Sequence, residues 1–85
     1  MTIRVVIAED EAIIRLDLKE SLEEEGYEVV GEAGRGDHAI ELVRTLRPDL
    51  VILDIKMPVV DGLTAARTIA NERICGVLML TAFSQ

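Results

Sequence analysis

The residues best suited to chemistry are carboxylates and one hydroxyl, each placed directly after an apolar run. Leu50-Val51-Ile52-Leu53 reads as a strand buried on both faces; it ends on Asp54, and Ile55-Lys56-Met57-Pro58 and Asp61-Gly62 come next. Ile3 to Ala8 is a β-branched run that stops at Glu9-Asp10-Glu11, and Gly76 to Leu80 is an apolar run that stops at Thr81-Ala82. An ionised carboxylate at the end of a buried strand is costly unless the chemistry requires it. If Glu9, Asp10 and Asp54 share one edge, their like charges repel and raise one another's pKa unless a cation sits among them. A hard divalent ion with oxygen ligands, Mg²⁺ by preference, relieves that repulsion and leaves water positions open for a phosphoryl group. A metal-bound carboxylate beside a hydroxyl suggests phosphoryl transfer to an aspartate, although the acidic set alone does not select the nucleophile.

The elements that must position these residues alternate. After the first strand, Ile14, Leu18 and Leu22 recur at four-residue spacing, with Arg15, Lys19, Glu20, Glu23 and Glu24 turned outward, up to Gly26. That pattern predicts an amphipathic helix with a glycine just past its end. Tyr27 to Ala33 reads as a second strand, less apolar and therefore an edge, and Gly34-Arg35-Gly36 turns into a helix from about Asp37 that Pro48 closes. Ala39, Ile40, Val43 and Leu46 form its inner face, and Leu63, Ala66, Ile69 and Ala70 mark a third helix. The order βαβαβαβ implies an α/β fold: a parallel sheet with right-handed crossovers and helices on both faces. If the first and third strands are neighbours, as in the flavodoxin-like order 2-1-3-4, their carboxyl ends bring Glu9, Asp10 and Asp54 together.

Composition narrows the partners. A chain of 85 residues with 49% hydrophobic residues, one Tyr, one Phe and no Trp must build one small core from Val, Ile, Leu and Ala. A formal net charge of -7 disfavours nucleic acid or an anionic membrane as a direct partner and favours metal cations and basic protein surfaces. Cys75 is the only cysteine, which rules out an intrachain disulfide and a thiolate cluster, and no segment has the layout of a signal peptide or a membrane span. The expected location is the cytoplasm.

Taken jointly, Val-Ile-Ala-Glu9-Asp10-Glu11, Asp54-Ile-Lys56-Met57-Pro58-Val-Val-Asp61-Gly62 and Leu78-Met-Leu-Thr81-Ala82 resemble the receiver domain of bacterial two-component response regulators, in order and with suitable spacing along the whole chain. The resemblance implies that Asp54 is the phospho-acceptor, taking its phosphoryl group from a histidine kinase. It implies Mg²⁺ held by the side chains of Asp10 and Asp54 and the backbone carbonyl of Lys56, with Glu9 acting through a water or from behind the direct ligands. Thr81 would be the switch hydroxyl, small Ala82 would keep access open, and Pro58 and Gly62 would shape the loop. The runs Glu25 to Gly34 and Thr81 to Gln85 look most similar to receivers of actinobacterial ANTAR-type antiterminators, which implies an RNA-binding output domain in a longer parent chain.

The family continues into a fourth helix, a fifth strand with an aromatic switch residue and a terminal lysine, and a fifth helix, all of which would lie beyond Gln85. Residues 1–85 are therefore expected to form a receiver domain incomplete at its C-terminus, with the first helix partly uncovered and self-association relieving the exposed face. Such a domain is not a turnover enzyme, although it assists its own phosphorylation and dephosphorylation. Two other readings compete with a phosphoacceptor. One is a non-phosphorylated interaction or dimerisation module; the other, a metal-dependent phosphohydrolase, is weakly supported because no second acid follows Asp54 at a two-residue spacing. Blander explanations attach to single residues: a solvated helix start for Glu9-Asp10-Glu11, a strand-end turn for Asp54, an ordinary strand end for Thr81, surface exposure for His38. The glycines at 31, 34 and 36 have the wrong spacing for a dinucleotide fingerprint and read as turn chemistry.

Overall fold

A computed structural model describes residues 2–80. The elements are β1 (Arg4–Ala8), α1 (Ala12–Glu24), β2 (Glu28–Ala33), α2 (Gly36–Leu46), β3 (Leu50–Asp54), α3 (Gly62–Glu72) and β4 (Gly76–Leu80). All strand pairs are parallel, as the alternating pattern predicts, and the sheet order is β2-β1-β3-β4, the flavodoxin-like one.

The two-residue period of the strands divides the core. On one face Val6, Ala8, Val51 and Leu53 pack with Ala39 and Val43 of α2 and Ala65 and Ile69 of α3. On the other, Val5, Ile7 and Ile52 pack against Leu18 and Leu22 of α1, with Tyr27, Leu50 and Leu80 at the margin. Central strands β1 and β3 are covered on both sides, which is why they read as unbroken apolar runs.

Two helix faces differ from the periodicity. Ile14, expected inside, is 45% exposed, and α1 has no fully buried residue. Arg15, expected in solvent, instead turns toward the sheet, so α1 lies rolled toward β2. In α3 the inner face is Gly62, Ala65 and Ile69, while Leu63 is half exposed and Ala70 lies outside, because the helix starts at Gly62 and its first turn looks over the loop. Gly26, at φ +93°, ends α1 as anticipated. Among the described residues no helix is long and apolar enough to cross a membrane.

Candidate functional site

Register brings the acids together. β1 and β3 align with Ala8 opposite Leu53, so the chain leaves β1 at Glu9 beside the point where β3 ends on Asp54. One carboxylate oxygen each from Glu9, Asp10 and Asp54 lies within 4.8 Å of the others. Glu9 and Asp54 are buried, at 5% and 8% exposure, and Asp10 is open to solvent. Burial of two acids beside a third is the juxtaposition that a hard divalent cation resolves, and the all-oxygen donor set suits Mg²⁺.

Glu9 is held at several points. Its N–H donates to the carbonyl of Ala33 at 2.9 Å, its Oε1 accepts from the N–H of Glu11 at 3.1 Å, and its carbonyl accepts from Arg15 Nη1 at 2.7 Å. Burial raises the Glu9 carboxyl above its ordinary pKa; the Glu11 amide opposes this and the charge of Asp54 adds to it.

The loop from Ile55 to Asp61 forms the outer wall. Lys56, Met57, Pro58, Asp61 and Leu63 line an open groove of about 560 Å³ together with Asp10 and Ile55, so the segment carrying the Lys56 carbonyl faces the same groove as Asp10. Asp61 caps α3: its Oδ1 accepts from the N–H of Thr64 at 2.8 Å, and that bond holds its carboxyl below the usual range. Gly62 N–H bonds the carbonyl of Ile55 at 2.8 Å, closing the loop on itself. Thr81 and Ala82 lie outside the described residues.

Within the loop Val60 N–H donates to the Pro58 carbonyl at 2.8 Å, a three-residue γ-turn centred on Val59 at φ +68°. A β-branched residue is strained there, and Val59 is 70% exposed, so no burial offsets the strain. Val59→Gly is therefore expected to raise the urea midpoint by the equivalent of about 1 kcal/mol, the relieved strain exceeding the added chain entropy. A lowered midpoint would show that the turn is relaxed with valine. Sequence patterning does not reveal this turn, because valine is a strand former; nor does it mark Arg15, whose spacing from Lys19 reads as a solvent face.

Known proteins resemble this chain in sequence and in fold. The family model described as response regulator receiver domain matches residues 5–85. The transcriptional regulatory protein PdtaR of Mycobacterium tuberculosis is 62% identical over 82 residues, covering 96% of this chain and 40% of that protein. Protein CcdB of Bacillus subtilis is 42% identical over 83 residues, covering 96% of this chain and 69% of that protein. Among solved structures, the response regulator domain of Thermotoga maritima CheB superposes with a TM-score of 0.92 at 31% identity, covering 100% of this chain and 64% of that one. The signal receiver domain of the response regulator NarL from Mycobacterium tuberculosis gives 0.90 at 31% identity, over 99% of this chain and 69% of that one. The chain thus spans two fifths of PdtaR.

Proposed function

The chain belongs to the response regulator receiver domain family, and we propose that it accepts a phosphoryl group on Asp54 in an Mg²⁺-dependent phosphorelay. The observation that carries this reading is the convergence of the Glu9, Asp10 and Asp54 oxygens within 4.8 Å at the carboxyl end of a parallel sheet. Asp54, at the end of β3, is the nucleophile. One of its carboxylate oxygens forms the bond to phosphorus as the bond from phosphorus to the donor nitrogen of a kinase phosphohistidine breaks and the imidazole keeps the electron pair. Asp10, Asp54 and the Lys56 carbonyl would hold the cation directly, with Glu9 orienting from behind or through water. When bound, Mg²⁺ supplies positive charge against the phosphoryl oxygens. Thr81 would donate its hydroxyl to one of them.

Residues 1–85 are read as the receiver part of a longer cytoplasmic regulator with an output domain; the ANTAR-type resemblance points to RNA-binding antitermination by that domain rather than to nucleic-acid contact by these residues. Incubation of the full-length parent with radiolabelled acetyl phosphate is expected to label it with Mg²⁺ and not with excess EDTA. Asp54→Asn is expected to abolish labelling, and label retained in that variant refutes Asp54 as acceptor.

A second reading, an interaction module that self-associates without phosphorylation, is favoured by exposed apolar residues on α1 and β4: Ile13 is 84% exposed, Leu16 54% and Leu78 50%. Sedimentation decides it, since a monomer at high micromolar concentration that takes up label excludes an interaction-only role.

A further inference from the structure

We propose that Arg15 is a positioning residue for the cation site, clamping the Glu9 backbone carbonyl so that the Glu9–Asp10 peptide presents both carboxylates toward Asp54. This rests on the reading of the acidic cluster as a Mg²⁺ site. Arg15 Nη1 donates to the Glu9 carbonyl at 2.7 Å, a short, charge-assisted bond onto the peptide that joins two of the cluster's acids. Rotation of that peptide plane moves both carboxylates, and on the strand side the only described restraint on Glu9 is its own N–H bond to Ala33.

The guanidinium spends its charge elsewhere. Its Nε lies 3.4 Å from Glu32 Oε1 on β2, and Lys19 Nζ lies 3.4 Å from Glu32 Oε2. A cation paired with Glu32 orders the loop through a carbonyl without neutralising the carboxylates that a metal needs. Arg15 thus joins the end of β1 to β2 from α1, three elements whose relative placement sets the direction in which the acids point.

The test is Mg²⁺ affinity, measured by titration calorimetry on Arg15→Ala, Arg15→Lys and Lys19→Ala beside the unaltered protein, with thermal unfolding as a check on folding. Arg15→Ala is expected to weaken Mg²⁺ roughly tenfold, as loss of a support behind metal ligands does, while remaining folded. Lys19→Ala removes a partner of Glu32 without touching the carbonyl and is expected to stay within about twofold. Arg15→Lys, which keeps a cation on the same face but lacks the fork that reaches the Glu9 carbonyl and Glu32 together, is expected to fall between them and keeps the proposal testable if Arg15→Ala does not fold. Unchanged affinity in a folded Arg15→Ala, or equal losses in Arg15→Ala and Lys19→Ala, overturns the clamp and leaves the metal site standing. No Mg²⁺ binding by the unaltered protein overturns the site itself, and the clamp with it.

Discussion

Gly62→Ala is expected to cost more than about 3 kcal/mol of stability, beyond the usual range for overpacking. A Cβ on Gly62 would lie 1.9 Å from the carbonyl oxygen of Asp54, 2.7 Å from its carbon and 2.9 Å from Ile55 Cα. All of these are backbone atoms, so no side chain can rotate away, and either the start of α3 or the end of β3 must retreat. A domain of this size has roughly 5–10 kcal/mol in hand, and the loss leaves it close to unfolding at 37 °C. The carbonyl that must retreat belongs to Asp54, so the same change displaces the proposed acceptor. Gly36→Ala provides the contrast. Its Cβ would come equally close, 1.9 Å from the carbonyl oxygen of Val60, but Val60 belongs to a loop outside the sheet whose neighbours Pro58 and Val59 are exposed, and Asp54 is not among the atoms it meets. Urea unfolding should order the variants with Gly62→Ala the less stable, and a Gly62→Ala midpoint close to that of the unaltered protein would mean that the close approach does not exist in solution.

The second large effect is an exchange of stability ranking on adding Mg²⁺. Burial holds the Glu9 carboxyl above its ordinary pKa, with the charge of Asp54 contributing. The folded state therefore binds that proton more tightly than the unfolded chain does. The resulting stability is fully present below the ordinary glutamate value of 4.5 and is lost as the pH rises through the raised folded value. Above that window, without metal, the clustered acids oppose folding, and Asp54→Asn is expected to be more stable than the unaltered protein by about 1 kcal/mol. Mg²⁺ at a hundredfold excess over its Kd should then stabilise the unaltered protein by about 2.7 kcal/mol, a rise in Tm of roughly 10–20 °C, and give Asp54→Asn little of this. Scanning calorimetry with EDTA and with Mg²⁺ reads both arms. An Asp54→Asn variant less stable than the parent in EDTA, or one that gains as much from Mg²⁺, would show that the carboxylates do not share a cation.

Much of the fold and most of the acidic site are legible in residue order. The runs Ile3–Ala8, Leu50–Leu53 and Gly76–Leu80, alternating with helical spacing, specify parallel strands, and a parallel sheet delivers the residues just past each strand to one edge. Glu9, Asp10 and Asp54 meet there because their position depends only on strand direction and neighbour order, and the loop signature around Pro58 and Gly62 points to the same end. α2 obeys its periodicity closely, with Ala39 and Val43 fully buried, because it lies on a broad, well-filled face of the sheet.

Residue order alone established the α/β class, the parallel sheet and the identity of the acids, all consequences of a short repeating pattern and of chain polarity. The tertiary structure alone decided the roll of α1 that turns Arg15 onto the Glu9 carbonyl, the left-handed backbone at Val59, and the approach of Gly62 to Asp54 within less than a van der Waals diameter of a missing Cβ. These depend on how elements distant in sequence settle against one another. A residue's type records its preference for burial or backbone shape, while the contact it finally makes is set by neighbours that its own segment does not contain.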